Sequence, residues 1–364
     1  MTYNKAVNKR VAILIENGVE DVEFQVPYKA IQMAGAEVVV LGSRMDEQYK
    51  GKQGKLSIKA DGTTTEALAS EFDAVIIPGG MAPDKMRANP YTVSFVQQAM
   101  AQGKLVAAVC HGPQVLINGD LLRGKQATGF IAIRQDIVNA GANYVDAPLV
   151  VDGNLITSRQ PGDLAIFTTA ILSRLGYGGK DAALPDENDL HAEWWKLADV
   201  WGGSTKGEIV KGLNTALAGE HYSQETLENY AKKTGDAEVR SLFQEMSQNK
   251  QHHIKLLETR LHELGEKPSL TTQAADAYAK LKTSLQGSDE MFLLRSALEI
   301  TRIGAVDSYH LRQKYTDPVS TALFTQAEVD LLQYEARLLQ LYRVRMGANE
   351  SVKPGPMTSG TFST

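Results

Sequence analysis

The periodicity of apolar residues changes once along this chain, and that change restricts the fold more than any other feature. Up to about residue 175, short apolar, often β-branched runs at 11–15, 38–41, 74–77 and 105–109 alternate with helically spaced stretches at 22–33, 91–100 and 112–117. Runs this short and apolar fit strands buried on both faces, and strand–helix alternation implies a parallel sheet covered by helices. Two more strands, near 149–151 and 155–157, flank the hairpin turn signal Asp152-Gly153, and a helix over 162–175 closes this half. Beyond it, four long amphipathic segments lie at about 207–233, 236–264, 289–315 and 324–346, punctuated by Gly235, the 265–268 stretch and Asp317-Pro318. The tight first connection predicts antiparallel neighbours. The longer second connection, itself partly helical, predicts a crossover, as in a four-helix bundle.

The expected organisation is an α/β domain over 1–178, a linker over 179–204, a helical bundle over 205–346 and a disordered tail over 347–364. A chain of 364 residues is long enough for two cores. Trp194, Trp195 and Trp201 are expected at a contact between domains or subunits. A formal charge of −5 offers no broad attraction to nucleic acid or an anionic membrane. No apolar run reaches the roughly 18 residues of a membrane span, and the polar start shows no secretory signal. The lone cysteine can form no internal disulfide, so a cytoplasmic location is expected.

That cysteine is the chemical centre of the sequence. Leu105-Val-Ala-Ala-Val-Cys-His-Gly-Pro-Gln114 reads as strand, sharp turn and helix, which thrusts Cys110 above the sheet at a helix N-terminus. Backbone N–H groups there favour a thiolate. Taken alone, the elbow is equally compatible with a buried structural thiol. Three segments at the same rim favour chemistry. Ile77-Pro-Gly-Gly80 can bring backbone N–H groups of Gly79 and Gly80 up to an oxyanion. Glu20, just past the first strand, could share a proton with the thiol. Ser158-Arg-Gln-Pro-Gly-Asp163 adds a polar loop carrying Arg159.

The segments Glu20-Asp-Val-Glu23, Phe72-Asp-Ala-Val-Ile-Ile-Pro-Gly-Gly80, Val109-Cys-His-Gly-Pro-Gln114 and Val151-Asp-Gly-Asn154 resemble the ThiJ/PfpI family, and more closely its intracellular-protease branch, over about residues 8–175. The resemblance implies a flavodoxin-like fold of the class I amidotransferase-like group. It implies Cys110 as nucleophile, His111 as its base or orienting partner, Glu20 as the carboxyl that tunes the thiol, and Gly80 with the His111 N–H as oxyanion site. In the proteolytic members an acid from a neighbouring subunit orients the histidine. That motif position is Asp84 here, one methylene shorter than the family's glutamate, and an ordinary first-turn acid after Pro83 reads the same way. Phe130, in Thr128-Gly-Phe-Ile131, and Arg159 would line the pocket.

In the helical half, Glu220, Glu299 and Glu335 fall on apolar stripes, and His252 and His253 lie between Met246 and Leu256. Ala218-Gly-Glu220 and Leu242-Phe-Gln-Glu-Met246 resemble a ferritin-like, rubrerythrin-type domain. A di-iron site of that kind uses two Glu-x-x-His pairs. Here Asn249 or Lys250 stands where one glutamate belongs, and Leu338 where one histidine belongs. No metal or cofactor is therefore expected, with Glu220, His252, Glu299 and Glu335 as the residual iron candidates. The leading reading is a cysteine-dependent stress-response hydrolase, acting on peptides or amides or, in glyoxalase or deglycase fashion, on α-oxoaldehydes. A redox sensor or chaperone-like protein acting through Cys110 oxidation and metal handling by the bundle are the alternatives. The expected partners are a small aldehyde or peptide substrate and further copies of the chain.

Overall fold

The computed structural model describes residues 8–178, 184–189, 192–269 and 289–347. The chain divides into two compact units, Met1–Thr205 with Thr316–Pro318, and Lys206–Tyr315 with Val319–Thr364.

The first unit carries strands β1 (Arg10–Leu14), β2 (Glu37–Gly42), β3 (Gln48–Lys50), β4 (Ser57–Lys59), β5 (Gly62–Thr63), β6 (Ala74–Ile77), β7 (Leu105–Val109), β8 (Gln126–Ala127), β9 (Asn143–Tyr144), β10 (Val150–Asp152) and β11 (Leu155–Ser158). Seven of them form one sheet in the order β10-β11-β7-β6-β1-β2-β5. All its pairs are parallel except the β10–β11 hairpin. The inner strands are apolar on both faces because helices cover both, as the run lengths predict. The chain leaves β1 toward β2 and returns to β6 on the other side, so a crevice opens at the carboxyl ends of β1 and β6.

Two features of this unit differ from the expectation. Residues 194–200, read as linker, form the helix Trp194–Val200, and Trp194 and Trp201 have no exposed surface. Both belong to the unit's own core instead of an interface. The helix Leu164–Arg174 explains why: every residue from Leu164 to Leu172 is buried, so a helix apolar on all sides needs a second layer above it. The Trp194–Val200 helix supplies that layer. The antiparallel hairpin β3–β4 is the other difference. It is pinned by Asp21, whose buried carboxylate accepts the N–H groups of Gln53 at 2.8 Å, Lys55 at 2.8 Å and Leu56 at 2.6 Å.

The second unit consists of the helices Lys206–Lys233, Ala237–Glu263, Glu290–Lys314 and Pro318–Arg345, with no strand among the described residues. Asp236 caps the second helix through the N–H groups of Glu238 and Val239. The fourth helix starts six residues before the expected 324, because Pro318 lacks the N–H that a first helical residue cannot use. Leu227, Phe243, Met246, Leu294 and Leu338 fill the core. The expected partly helical crossover falls largely on 270–288 and the expected tail on 348–364, both outside the described residues.

Asp21→Ala should leave three amide donors without their acceptor and release the β3–β4 hairpin. The expected loss is about 2–4 kcal/mol in urea unfolding, with faster hydrogen exchange at Gln53, Lys55 and Leu56; unchanged exchange there would contradict the assignment.

Candidate active site

Cys110 follows β7 directly and adopts φ +59°, the left-handed region that L-residues avoid. Both of its backbone polar groups are held: its N–H donates to Ser158 O at 3.0 Å and its carbonyl accepts Phe130 N–H at 2.9 Å. Strain of this kind costs about 1–3 kcal/mol and persists where surrounding bonds overdetermine it. The turn also requires glycine at its neighbours. A Cβ on Gly112 would strike the Ile77 carbonyl, and one on Gly80, at φ +75°, would strike the Glu20 N–H. The strand register carries Ile77 beside Ala108, so the Gly79-Gly80 turn lies alongside Cys110.

The carboxyl against the thiol belongs to Glu23, and Glu20 points elsewhere. Glu20 is bound by Gln53 Nε2 at 2.7 Å and Lys52 Nζ at 3.3 Å, both from the loop between β3 and β4. Glu23, with no exposed surface, hydrogen-bonds Cys110 and accepts the Gly79 N–H at 2.8 Å. Burial, and then the charge of Glu20, push the Glu23 carboxyl up to about 8. Burial, and then Glu23, push the Cys110 thiol up as well, against the N–H groups of Gly80 and His111 that favour the thiolate. The simple expectation of a depressed thiol thus fails, because a six-residue helix, Pro113–Asn118, cannot offset full burial. Below pH 8, however, Glu23 is protonated and its repulsion of a thiolate vanishes. Both groups are then neutral at rest, and a thiolate formed during reaction is the pair's single negative charge, toward which the Glu23 O–H donates.

The other expected residues are placed as follows. His111 Nδ1 lies 3.3 Å from Cys110 Sγ, and burial lowers the ring below its ordinary value, so it is neutral at pH 7. Phe130 packs against that ring at 4.9 Å between centroids. Gly80 and His111 direct their N–H groups at the sulfur, whereas the Gly79 N–H is committed to Glu23. Arg159 is gripped by Asp163 at 3.0 Å and Asp146 at 2.8 Å. Asp84 stands on the short helix Ala82–Met86, exposed and paired with Arg87. The only signal for Glu23 in the sequence was its place at the start of the same helix, which Glu20 and Asp21 share. Lys52 and Gln53 carried no such signal, since only the hairpin brings them to the rim.

In the helical unit the four residual metal candidates do not converge. Glu220 is buried, but Lys250 Nζ sits on its Oε1 at 2.9 Å. His252 and Glu299 are exposed, and Glu335 binds Arg302. The stripe through Phe292, Ile303 and Val306 that placed Glu299 inside is one residue, about 100°, away from the buried one through Leu293, Ala297 and Ile300. Among the described residues no three His, Cys, Asp or Glu side chains cluster at metal-binding distance. An ammonium group on the central glutamate also repels a metal ion, so these residues do not fit an iron centre.

Residues 9–174 match the DJ-1/PfpI family, and residues 208–301 match a domain of unknown function (DUF2383). Protein/nucleic acid deglycase 2 of Escherichia coli is 40% identical over 171 residues, covering 47% of this chain and 99% of that protein. General stress protein 18 of Bacillus subtilis is 41% identical over 170 residues, covering 46% of this chain and 99% of that protein. A two-domain protein of Anabaena variabilis containing DJ-1/ThiJ/PfpI-like and ferritin-like domains has a crystal structure that superimposes with a TM-score of 0.88. It is 66% identical, and the match covers 97% of this chain and 100% of that one.

The raised Glu23 carboxyl has a signed consequence for stability. Its folded value near 8 exceeds the ordinary 4.5, so the folded state binds the extra proton between these values. Stability from this group is complete below pH 4.5 and is lost as pH rises through 8. Relative to Glu23→Gln, the wild type should lose about 5 kcal/mol across that window; parallel unfolding curves for the two proteins would rule the shift out.

Proposed function

The chain belongs to the DJ-1/PfpI family, with a ferritin-like helical domain joined to it, and on that premise we propose that its α/β domain is a cysteine-dependent enzyme of α-oxoaldehydes and their adducts. The observation that carries this reading is the contact of Cys110 with a carboxyl group that keeps its proton until about pH 8. His111 Nδ1, 3.3 Å from the sulfur, takes the thiol proton, and a neutral Glu23 stabilises the resulting thiolate by donating to it, then protonates the oxygen that forms when sulfur adds to an aldehyde carbon. The carboxylate so produced is placed to move the aldehyde C–H proton to the neighbouring carbonyl carbon. Aldehyde carbon is oxidised, ketone carbon is reduced, and the resulting thioester takes up water to release an α-hydroxy acid and the thiol. In an aminocarbinol adduct the same carbon carries an amine, which departs with a proton. No outside oxidant is needed. The N–H groups of Gly80 and His111 supply the polar environment at the sulfur.

Peptide hydrolysis asks more of His111 than its described surroundings provide. Within one chain the ring meets the Cys110 sulfur and Phe130, while Asp84 is tied to Arg87 at the surface. A peptidase would need Asp84 from a second copy of the chain to orient the histidine. The relative named as a deglycase matches the domain over nearly its whole length, which supports the aldehyde reading. Lys52 and Gln53, anchored on Glu20, form the exposed edge that a substrate meets first.

Methylglyoxal turnover should disappear in Cys110→Ala, and retained turnover in that variant would refute the proposal. Glu23→Gln should lower kcat by about a hundredfold or more and abolish the activity loss as pH rises through 8. Glu20→Gln should change KM through Lys52 and Gln53 and move that alkaline limb to lower pH, since the Glu20 charge helps to hold the Glu23 carboxyl up.

A further inference from the structure

We propose that the outer side of the fourth bundle helix, Pro318–Arg345, is a seam through which the helical unit pairs with a second copy of this chain. The helix carries two apolar stripes. Phe324, Ala327, Leu331 and Leu338 are buried in the bundle. On the outward side Ala322, Thr325, Val329, Leu332, Ala336 and Leu339 follow one another at alternating steps of three and four residues, which is the spacing of a coiled-coil seam. Val329 is 37% exposed and Leu332 41%. One apolar stripe is enough to join a bundle, and the far side of such a helix is ordinarily charged. A Cβ on Gly304 of the third helix would meet Leu331, and this register brings the exposed Val306 and Tyr309 alongside Val329 and Leu332.

The charge pattern selects the occupant. Between Val319 and Tyr342 the helix has four charged residues, and each is bound to another helix of its own bundle. Glu328 pairs with Arg312, Asp330 with His253, Glu335 with Arg302 and Arg337 with Glu245. The seam is flanked instead by Gln326, Gln333 and Gln340, seven residues apart. In a two-fold pair each flank meets a copy of itself. A charge there would face its like, whereas a glutamine amide both donates and accepts and so complements itself. Volume fixes the direction. Antiparallel pairing about an axis between Leu332 and Ala336 stacks the Leu332 of each copy on the Ala336 of the other, so large meets small. Parallel pairing would oppose alanine to alanine and leave a void. The seam from Ala322 to Leu339 runs about 27 Å, and with the rim of the third helix it is about 20 Å wide. Two copies would then bury roughly 1,100 Å² in total, within reach of the about 1,000 Å² that a specific interface needs.

Sedimentation equilibrium of the full chain should show association. Leu332→Glu, checked for retained helicity by circular dichroism, should weaken it about thirtyfold or more and halve the mass of the assembly, a halving that any further association through the α/β unit leaves visible. Cross-linking reads the geometry independently. In a Cys110→Ala background, Gln333→Cys places one thiol from each copy near the axis and should give a disulfide-linked dimer on oxidation with diamide. Ala322→Cys, at the far end of the seam, should not. A wild-type chain that stays monomeric up to about 100 µM, an assembly of unchanged mass in Leu332→Glu, or cross-linking through Ala322→Cys instead of Gln333→Cys would overturn the proposal.

Discussion

Three strand ends of the α/β unit meet at one buried carboxyl group. Glu23 reaches from the helix after β1 to the Gly79 N–H after β6 and to the thiol after β7. No part of it is exposed, and a Cβ on Gly79 would collide with it. The glycine pair, the positive φ of Cys110 and the neutral state of Glu23 therefore depend on one another. Remove the carboxyl and the turn loses its filler; ionise it and a charge sits in a dry cleft beside sulfur. A carboxyl that stays protonated near neutral pH is the condition under which such a crowded elbow is stable.

The loop between β3 and β4 extends this logic to the surface. Asp21 fixes the loop's backbone while Glu20, its neighbour in sequence, takes its side chains Lys52 and Gln53. Neighbouring acids thus have separate places: Glu20 binds the outer edge, Asp21 folds the hairpin and Glu23 meets the thiol. Helical geometry separates them, since residues one apart point in different directions and only one of the three faces the cleft.

The helical unit is organised around a lysine. Lys250 is almost wholly buried, and its ammonium occupies the side of Glu220 that a metal ion would otherwise use. A buried pair of this sort contributes little net stability but strongly penalises the loss of either partner. The absence of a second acid near Lys250 in the sequence already argued against iron, and the ion pair supplies the physical alternative.

Two domains, a parallel sheet, four bundle helices and the elbow at Cys110 all followed from local pattern. Strand period, helix period and turn residues are properties of neighbouring positions, so a sequence alone determines them. The same reading missed whatever depended on partners distant along the chain. It chose Glu20 over Glu23, because either can leave the same strand end and only packing against Gly79 decides between them. It placed Trp194 and Trp201 at an interface, because the need to cover the Leu164–Arg174 helix arises only once that helix is docked. It put Glu299 inside the bundle, because a rotation of one residue decides which face is buried and a long helix offers two apolar stripes. Local periodicity, then, determined the elements and the cysteine elbow. Tertiary packing decided which acid meets the thiol and whether a metal or a lysine holds the centre of the bundle, since desolvation and charge pairing act through space.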